Sequence, residues 1–160
     1  MSGEKVYNLS KQEIYDTIQR LYRLAILLDV HLFGFGKKTR PCFYSEKSWY
    51  ALNMPITGCA YGIRKSKNIH WDSRFTLKED FLISSTIMFR ERKILTCMAL
   101  NFGQKDTGVN AGGLGEYRNK DEIKRNILLL RKFFGESIKK KQERFKNEKE
   151  AFNVQMNYKI

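Results

Sequence analysis

The strongest pattern in the sequence is an apolar periodicity between Ser10 and about Leu32, which restricts this stretch to one kind of secondary structure. Its apolar residues recur at steps of three and four, namely Ile14, Ile18, Leu21, Ala25, Leu28 and Leu32. That spacing places them on one face of a helix. Ser10 and Glu13 have the spacing of a capping box, in which a hydroxyl and a carboxylate bond the first backbone N–H groups. The sequence therefore predicts a core helix that begins at Ser10.

A second periodic stretch follows Asn119, which has the position of an N-terminal cap. Apolar residues then recur at helical spacing, namely Ile123, Ile127, Leu130, Phe134 and Ile138. Gly135 is expected to kink or interrupt this helix, because glycine costs about 1 kcal/mol in a helix interior. Beyond it, a sparse apolar stripe continues at Ile138, Phe145 and Phe152. We therefore predict one globular domain over residues 1–135 and a basic helical extension over 136–160 that can pack on it.

The region between these two helices is typical of short strands. The runs Phe81–Phe89 and Lys93–Asn101 are rich in β-formers and are separated by Arg90-Glu91-Arg92, which predicts a hairpin. The second run is apolar on both faces and is predicted to be a central strand. Further elements are predicted before them, namely strands at Pro41–Tyr44 and Thr57–Ile63 and a helix at Ser45–Leu52. The predicted fold class is α+β, with a small antiparallel sheet (the hairpin at 81–101 plus short strands) packed against an N-terminal and a C-terminal helix.

Simple counts exclude several classes of protein. The longest purely apolar run, Leu24–Leu28, is far short of the ~20 residues needed to cross a bilayer. The first residues begin no apolar stretch of the kind found in a secretory signal, so we expect a cytoplasmic location. Cys42, Cys59 and Cys97 include no C-x-x-C pair, so neither a disulfide framework nor a zinc site is expected.

The charge of the chain is large and unevenly distributed. It carries 30 lysines and arginines against 17 aspartates and glutamates, a formal net charge of +13. Residues 33–76 carry eight basic side chains against two acidic ones, residues 118–160 carry thirteen against six, and the remaining segments are balanced. A localised excess of this kind favours a polyanionic partner over a uniformly solvated surface.

The first basic segment is also rich in aromatic residues. Cations bind phosphates and displace condensed counterions, and flat rings stack on unpaired bases, so the mixture favours nucleic-acid binding. The same aromatics can instead fill the core while the cations face water. The predicted phosphate contacts are Lys37, Lys38, Arg40, Arg64, Lys65, Lys67 and Arg74, and the predicted stacking residues are Trp49, Tyr50 and Trp71.

The second basic segment is predicted to extend this footprint. Its cations surround the predicted helix, because a helix turns by about 100° per residue; they include Lys139, Lys140, Lys141 and Arg144. That arrangement suits contacts to a phosphate backbone, or a solvated tail, and does not suit base reading. Lysines outnumber arginines nineteen to eleven, which also favours phosphate contact over bidentate recognition of bases.

One group of residues has a spacing found in enzymes. Glu91-x-Lys93 matches the E-x-K spacing of many metal-dependent nucleases, with Asp80 or Asp72 as the upstream carboxylate. The same residues can form a solvated turn, because Glu91 falls at the tip of the predicted hairpin.

The two histidines are further candidates for proton transfer. His70 and Asp72 can share one face of a strand, where an acid beside a base can serve catalysis. His31 follows the first helix and is expected to bond the final carbonyl groups of that helix. No local motif pairs either histidine with a cysteine nucleophile.

These patterns favour a non-enzymatic basic nucleic-acid-binding protein that contacts the phosphate backbone with low sequence specificity. One alternative is an interaction module or inhibitor that docks on an acidic protein surface or on a ribonucleoprotein. Another is a small metal-dependent nuclease that uses Asp80, Glu91 and Lys93. No cofactor, metal or membrane is expected, and the type of nucleic acid stays open.

Overall fold

The structure, a computed structural model, describes residues 8–36, 49–56, 60–100, 119–140 and 154–156. In chain order the elements are helix α1 (Lys11–Leu27), strands β1 (Leu32–Phe35), β2 (Tyr50–Ala51) and β3 (Tyr61–Ile63), helix α2 (Glu79–Glu91), strand β4 (Leu95–Cys97), helix α3 (Lys120–Phe134), a single 3-10 turn (Gly135–Ser137), and strands β5 (Ile138–Lys140) and β6 (Val154–Met156). The predicted α+β class is confirmed.

The first helix forms as its sequence predicts. Ser10 Oγ accepts a hydrogen bond from the Glu13 backbone N–H at 3.3 Å, and Glu13 Oε2 accepts one from the Ser10 backbone N–H at 2.8 Å. This capping box satisfies two of the exposed donors at the start of α1. The helix ends at Leu27, earlier than predicted, because the chain turns through Asp29, whose φ is 49°, and enters β1 at Leu32.

Four short strands form a mixed sheet in the order β2-β4-β1-β3. β1 runs parallel to β4, with Phe33 opposite Leu95, and antiparallel to β3, with Phe33 opposite Gly62. β2 pairs antiparallel with β4. The predicted purely antiparallel sheet is therefore wrong, but the prediction of a central strand in the second run is confirmed, since β4 has a neighbour on each side.

The first half of the predicted hairpin at 81–101 is wrong, because Phe81–Phe89 lies within α2. This helix is buried on two sides. Towards the sheet, Ile83 and Ile87 pack with Leu32 and Ile94. Away from the sheet, Leu82 packs in a separate cluster; its partners there include Ile127, Leu130 and Ile138. A helix covered on opposite sides loses the one-sided apolar period by which helices are recognised, and its β-branched residues then suggest a strand.

The predicted hairpin turn Arg90-Glu91-Arg92 is instead the C-terminal end of α2. Arg92 adopts the left-handed conformation, with φ 61°, and its backbone N–H donates to the Met88 carbonyl at 3.2 Å. That geometry stops the helix and redirects the chain towards β4. Glu91 is the last helical residue, and its side chain is only 10 % exposed.

The elements stack in layers around the sheet. On one face, Leu21 and Ala25 of α1 pack against Phe33, Leu95 and Cys97. On the other face lies α2, and α3 packs on the outer side of α2. Successive residues of a strand point to opposite faces. Phe33, Leu95 and Cys97 therefore join the core under α1, whereas Leu32 joins the core under α2.

The C-terminal part also departs from prediction. α3 is capped by Asn119, whose Oδ1 accepts from the Glu122 backbone N–H at 2.8 Å, and it ends before Gly135, which has φ 54°. The predicted interruption at Gly135 is thus confirmed. The predicted helical continuation is wrong at residues 138–140 and 154–156, which form the antiparallel pair β5–β6. The division of the chain at residue 135 stays a prediction.

Three shorter predictions fall wholly or partly outside the described residues. The predicted strand at Pro41–Tyr44 lies outside them altogether. The strand predicted at Thr57–Ile63 is present as β3 in its second half. The helix predicted at Ser45–Leu52 is wrong at Tyr50–Ala51, because these residues pair with Thr96 and Cys97 as β2.

Candidate functional site

The predicted phosphate-binding residues divide into several groups in the structure. Five of them lie outside the described residues, namely Lys37, Lys38, Arg40, Lys141 and Arg144. Lys139 and Lys140 belong to β5, and the Lys139 side chain is exposed. The remaining predicted cations, Arg64, Lys65, Lys67 and Arg74, follow β3 and precede α2.

The predicted stacking residues do not lie together. Trp49 and Tyr50 stand at the β2 edge of the sheet, whereas β3, which leads to Arg64, forms the opposite edge. Three inter-strand spacings separate these edges, a distance of about 14 Å. Trp71 lies on the loop after β3 and is 61 % exposed, against 56 % for Trp49. Trp71 alone of the three therefore belongs to the same segment of chain as the cations that follow β3.

One partly buried carboxylate, that of Glu91, organises the loop after β3. Glu91 Oε1 accepts hydrogen bonds from Ser66 Oγ at 3.1 Å and from Asn68 Nδ2 at 3.0 Å. Its other oxygen, Oε2, lies 2.8 Å from Nδ1 of His31, and the Glu91 side chain is only 10 % exposed. Asn68 Oδ1 in turn accepts from Arg90 Nη1 at 3.1 Å. Loop 64–68, the C-terminal end of α2 and the start of β1 thus meet at Glu91.

The hydrogen bonds keep this carboxylate ionised. Burial acts to raise the pKa of Glu91, but the bonds from Asn68, His31 and Ser66 outweigh burial and hold the pKa below its usual range. An ionised carboxylate only accepts hydrogen bonds, so Nδ1 of His31 carries the proton that it shares with Glu91. His31 therefore does not bond the final carbonyl groups of α1, contrary to prediction.

Two cations occupy the position predicted for His31. Arg64 Nη1 donates to the carbonyl oxygens of Ala25 at 3.0 Å and of Val30 at 3.2 Å. Lys93 Nζ donates to the Leu28 carbonyl oxygen at 2.9 Å. Positive charge is favourable at this position because the C-terminal end of a helix carries partial negative charge. Arg64 and Lys93 therefore have a structural role, although their side chains remain 23 % and 37 % exposed.

The other cations near Glu91 are exposed. We call Lys65, Lys67, Arg90 and Arg92 the basic surface. Each is next in sequence to Ser66, Asn68 or Glu91, the residues of this hydrogen-bonded group. The Arg92 guanidinium lies 5.7 Å from the centre of the Phe89 ring, which is 64 % exposed. The basic surface therefore combines charged groups with an aromatic ring that solvent can reach.

Arg74, by contrast, is already paired. Its guanidinium bonds both carboxylate oxygens of Asp72, at 2.6 to 3.1 Å, and lies 5.2 Å from the centre of the Phe133 ring. These bonds lower the pKa of Asp72 to about 2. The predicted pairing of His70 with Asp72 is not present, because Arg74 bonds both oxygens of that carboxylate. A phosphate would have to compete with Asp72 for this cation.

The residues of the nuclease hypothesis do not converge. Asp80 lies in the first turn of α2 and Glu91 at its end, so a rise of 1.5 Å per residue separates them by about 16 Å along the axis. Both Glu91 oxygens accept bonds from protein donors, and Lys93 bonds the Leu28 carbonyl. In the part of the chain that the structure describes, no three His, Cys, Asp or Glu side chains are grouped as metal ligands.

Sequence reasoning missed several members of this site. Ser66 and Asn68 were not singled out, and Arg90 and Arg92 were assigned to a hairpin turn. Only their neighbours in sequence, Lys65 and Lys67, carried a recognisable signal, the local excess of positive charge. The pairing of His31 with Glu91 joins residues sixty positions apart, and no local pattern encodes such a contact.

Comparisons with protein-family models, with curated proteins and with solved structures found no match to this chain. Of the helices in the described ranges, none has the length and apolarity needed to cross a lipid bilayer. A function for this protein is therefore inferred from its own geometry.

Proposed function

We propose that this protein binds single-stranded nucleic acid through the basic surface formed by Lys65, Lys67, Arg90 and Arg92. The observation that carries the proposal is the role of Glu91. Its bonds to Ser66 and Asn68 hold the loop after β3 against the end of α2, and each of the four exposed cations is next in sequence to a member of this hydrogen-bonded group. Both oxygens of that carboxylate accept bonds from Ser66, Asn68 and His31, and none of the four cations forms an ion pair with it.

The charge at this surface exceeds what the fold itself requires. The C-terminal end of α1 is already balanced by Arg64 and Lys93, which bond its carbonyl groups. A cation is favourable in the last turn of α2, and Arg90 is present there. Lys65 and Lys67 lie on a loop, are exposed and do not balance the end of a helix. Exposed cations of this kind bind phosphates by displacing condensed counterions.

Exposed aromatic rings favour a single strand over a duplex. Trp71 follows Asn68 by three residues, so its backbone lies within about 11 Å of the Glu91 group. Trp71 and Phe89 both expose more than half of their surface. Bases of a single strand are free to stack on such rings, whereas the bases of a duplex are already stacked on one another. The proposal therefore assigns phosphate contacts to the cations and base stacking to Trp71 and Phe89.

The test is fluorescence-anisotropy titration of labelled single-stranded and double-stranded RNA and DNA with the full chain, at several salt concentrations. The variant K65A/K67A removes two charges from the basic surface, and the control K124A/K132A removes two exposed charges from α3. For a single strand, each lost phosphate contact lowers the log–log salt slope by about 0.7, so the first variant is expected to lower it by about 1.4. The control is expected to leave the slope unchanged.

Two outcomes would contradict the proposal. One is the absence of binding to any of the four nucleic acids at low salt. The other is equal weakening by the two variants, which would mean that only the net charge of the protein matters. Salt-sensitive capture of an acidic protein, with no binding of nucleic acid, would favour the alternative of an interaction module.

A further inference from the structure

The hydrogen-bonded pair of His31 and Glu91 is not needed for the phosphate contacts or the base stacking proposed above. Glu91 is held from three sides, and the His31 side chain is 25 % exposed beside the basic surface. The bond to Glu91 uses Nδ1, and no residue of the described ranges bonds Nε2. An imidazole whose Nδ1 proton is held by a carboxylate has its Nε2 lone pair available as a base. This is the relation in which a carboxylate orients a catalytic histidine.

Two cations, Arg64 and Lys93, bond the backbone of the segment that leads to His31. The Arg64 backbone N–H donates to the His31 carbonyl oxygen at 2.8 Å, which fixes Arg64 beside it. Lys93 Nζ donates to the Leu28 carbonyl oxygen, three residues before His31. Both side chains also face the Asp29 carboxylate, Arg64 at 3.6 Å and Lys93 at 4.0 Å. Arg64 and Lys93 therefore hold the backbone around His31, and the positive charge that stabilises a reacting phosphate oxygen is assigned to the basic surface beside Glu91.

We propose that His31 is the general base of an RNA-cleaving site, with Glu91 as its positioning residue. This proposal rests on the proposed binding of single-stranded nucleic acid and names RNA as the substrate class. RNA is required because its own 2′-hydroxyl supplies the nucleophile. The chain then needs to provide only a base, an orientation and positive charge.

The reaction balances without a further reactant. Nε2 of His31 takes the proton of the 2′-hydroxyl, and the 2′-oxygen forms a bond to the adjacent phosphorus. The bond from phosphorus to the 5′-oxygen breaks, its electron pair leaves with that oxygen, and the 5′-oxygen takes a proton from water. The products are a 2′,3′-cyclic phosphate and a 5′-hydroxyl end, and imidazolium returns its proton to water.

The experiment measures cleavage and binding on the same samples. Full-length protein is incubated with end-labelled single-stranded RNA in EDTA, and the products are examined for a 2′,3′-cyclic phosphate. A matching oligonucleotide with 2′-deoxy sugars reports binding without cleavage. The test variant is His31→Asn, because the asparagine amide can still donate to Glu91 but cannot act as a base. The control is His70→Asn, which makes the same change at the exposed second histidine.

Cleavage of RNA by the wild type that falls by at least about 100-fold in His31→Asn, and not in His70→Asn, is the expected result. Glu91→Gln should also lower the rate and displace the pH–rate profile, which a purely structural role would not do. Binding of both oligonucleotides with intact RNA would overturn this inference and leave the proposed function standing. Equal cleavage by wild type and His31→Asn would overturn it as well, and the absence of binding would overturn both.

Discussion

Nδ1 of His31 lies 2.8 Å from Oε2 of Glu91, although the two residues are sixty positions apart. This bond joins the start of β1 to the last residue of α2. The other carboxylate oxygen bonds Ser66 and Asn68 on the loop after β3. The same contact therefore stabilises the fold and arranges the surface to which we assign a function.

The pKa of Glu91 predicts how stability depends on pH. Because the pKa is lowered in the folded state, the stabilisation is present above the ordinary value of 4.5 and is lost as pH falls through the lower folded value. The free energy of unfolding should thus fall more steeply below about pH 5 in wild type than in Glu91→Gln.

Denaturant unfolding at a series of pH values checks this prediction. Asp72 and Glu122, whose pKa values are about 2 because Arg74 and Arg125 bond them, titrate alike in both proteins. The difference between the two curves therefore isolates Glu91. Parallel curves below pH 5 would show that the Glu91 bonds add no pH-dependent stability.

The two tryptophans give a matched test of base stacking. Trp71→Ala is expected to weaken binding to a single strand by about 1–3 kcal/mol, even at high salt, because stacking involves no counterion release. Trp49→Ala removes an equally exposed ring from the opposite edge of the sheet and should leave binding unchanged. Anisotropy titrations at high salt measure both. A greater loss of affinity in Trp49→Ala would place the stacking surface at β2, where the sequence analysis predicts Trp49 and Tyr50 as stacking residues.

The contact between β1 and β3 depends on a glycine. Gly62 lies opposite Phe33, and a Cβ at this position would overlap the Phe33 ring, which is 7 % exposed. Gly62→Ala is therefore expected to lower the free energy of unfolding by about 1–3 kcal/mol, the usual range for overpacking. Gly36→Ala is the control, since its nearest contact would be 3.4 Å from the Cys97 carbonyl oxygen.

A double-mutant cycle identifies the cause of that loss. In a Phe33→Leu background the side chain opposite Gly62 is smaller, so Gly62→Ala should cost less there than in wild type. Thermal or urea unfolding of the four proteins supplies the coupling energy. Equal costs in the two backgrounds would mean that the Phe33 ring is not what excludes a side chain at position 62.

A buried amide holds α3 to the segment before α2. Asn126 is fully buried; its Oδ1 accepts from the Leu77 backbone N–H at 3.2 Å, and its Nδ2 donates to the Glu122 carbonyl oxygen at 2.8 Å. Asn126→Leu keeps the size of the side chain but leaves the Leu77 N–H without an acceptor. We expect a loss of about 1–3 kcal/mol in urea unfolding.

A surface change on the same helix serves as its control. Leu128 is 57 % exposed, and Leu128→Ala should change stability by no more than about 0.5 kcal/mol. A similar loss in both variants would mean that α3 is sensitive to any substitution, and that the Asn126 hydrogen bonds are not special.

Local patterns predicted the helices that have one buried face. The capping box at Ser10 and Glu13, the Asn119 cap and the stop at Gly135 all involve groups within a few residues of one another. Such contacts form in the same way whatever surrounds them, so the sequence alone is enough to place α1 and α3. α2 escaped prediction because it is buried between the sheet and α3, which hides its period.

The amino-acid sequence by itself determined the two capped helices, the central strand at Leu95–Cys97 and the concentration of positive charge after residue 33. Tertiary structure alone decided that β1 runs parallel to β4 and that His31 meets Glu91. It also decided which cations are used by the fold, as Arg64 and Arg74 are, and which remain exposed, as Lys65 and Lys67 do. The physical reason is the range of the interactions in sequence. Helix caps and apolar periodicity involve residues a few positions apart, whereas strand pairing and side-chain burial join distant segments that only the packed core brings together.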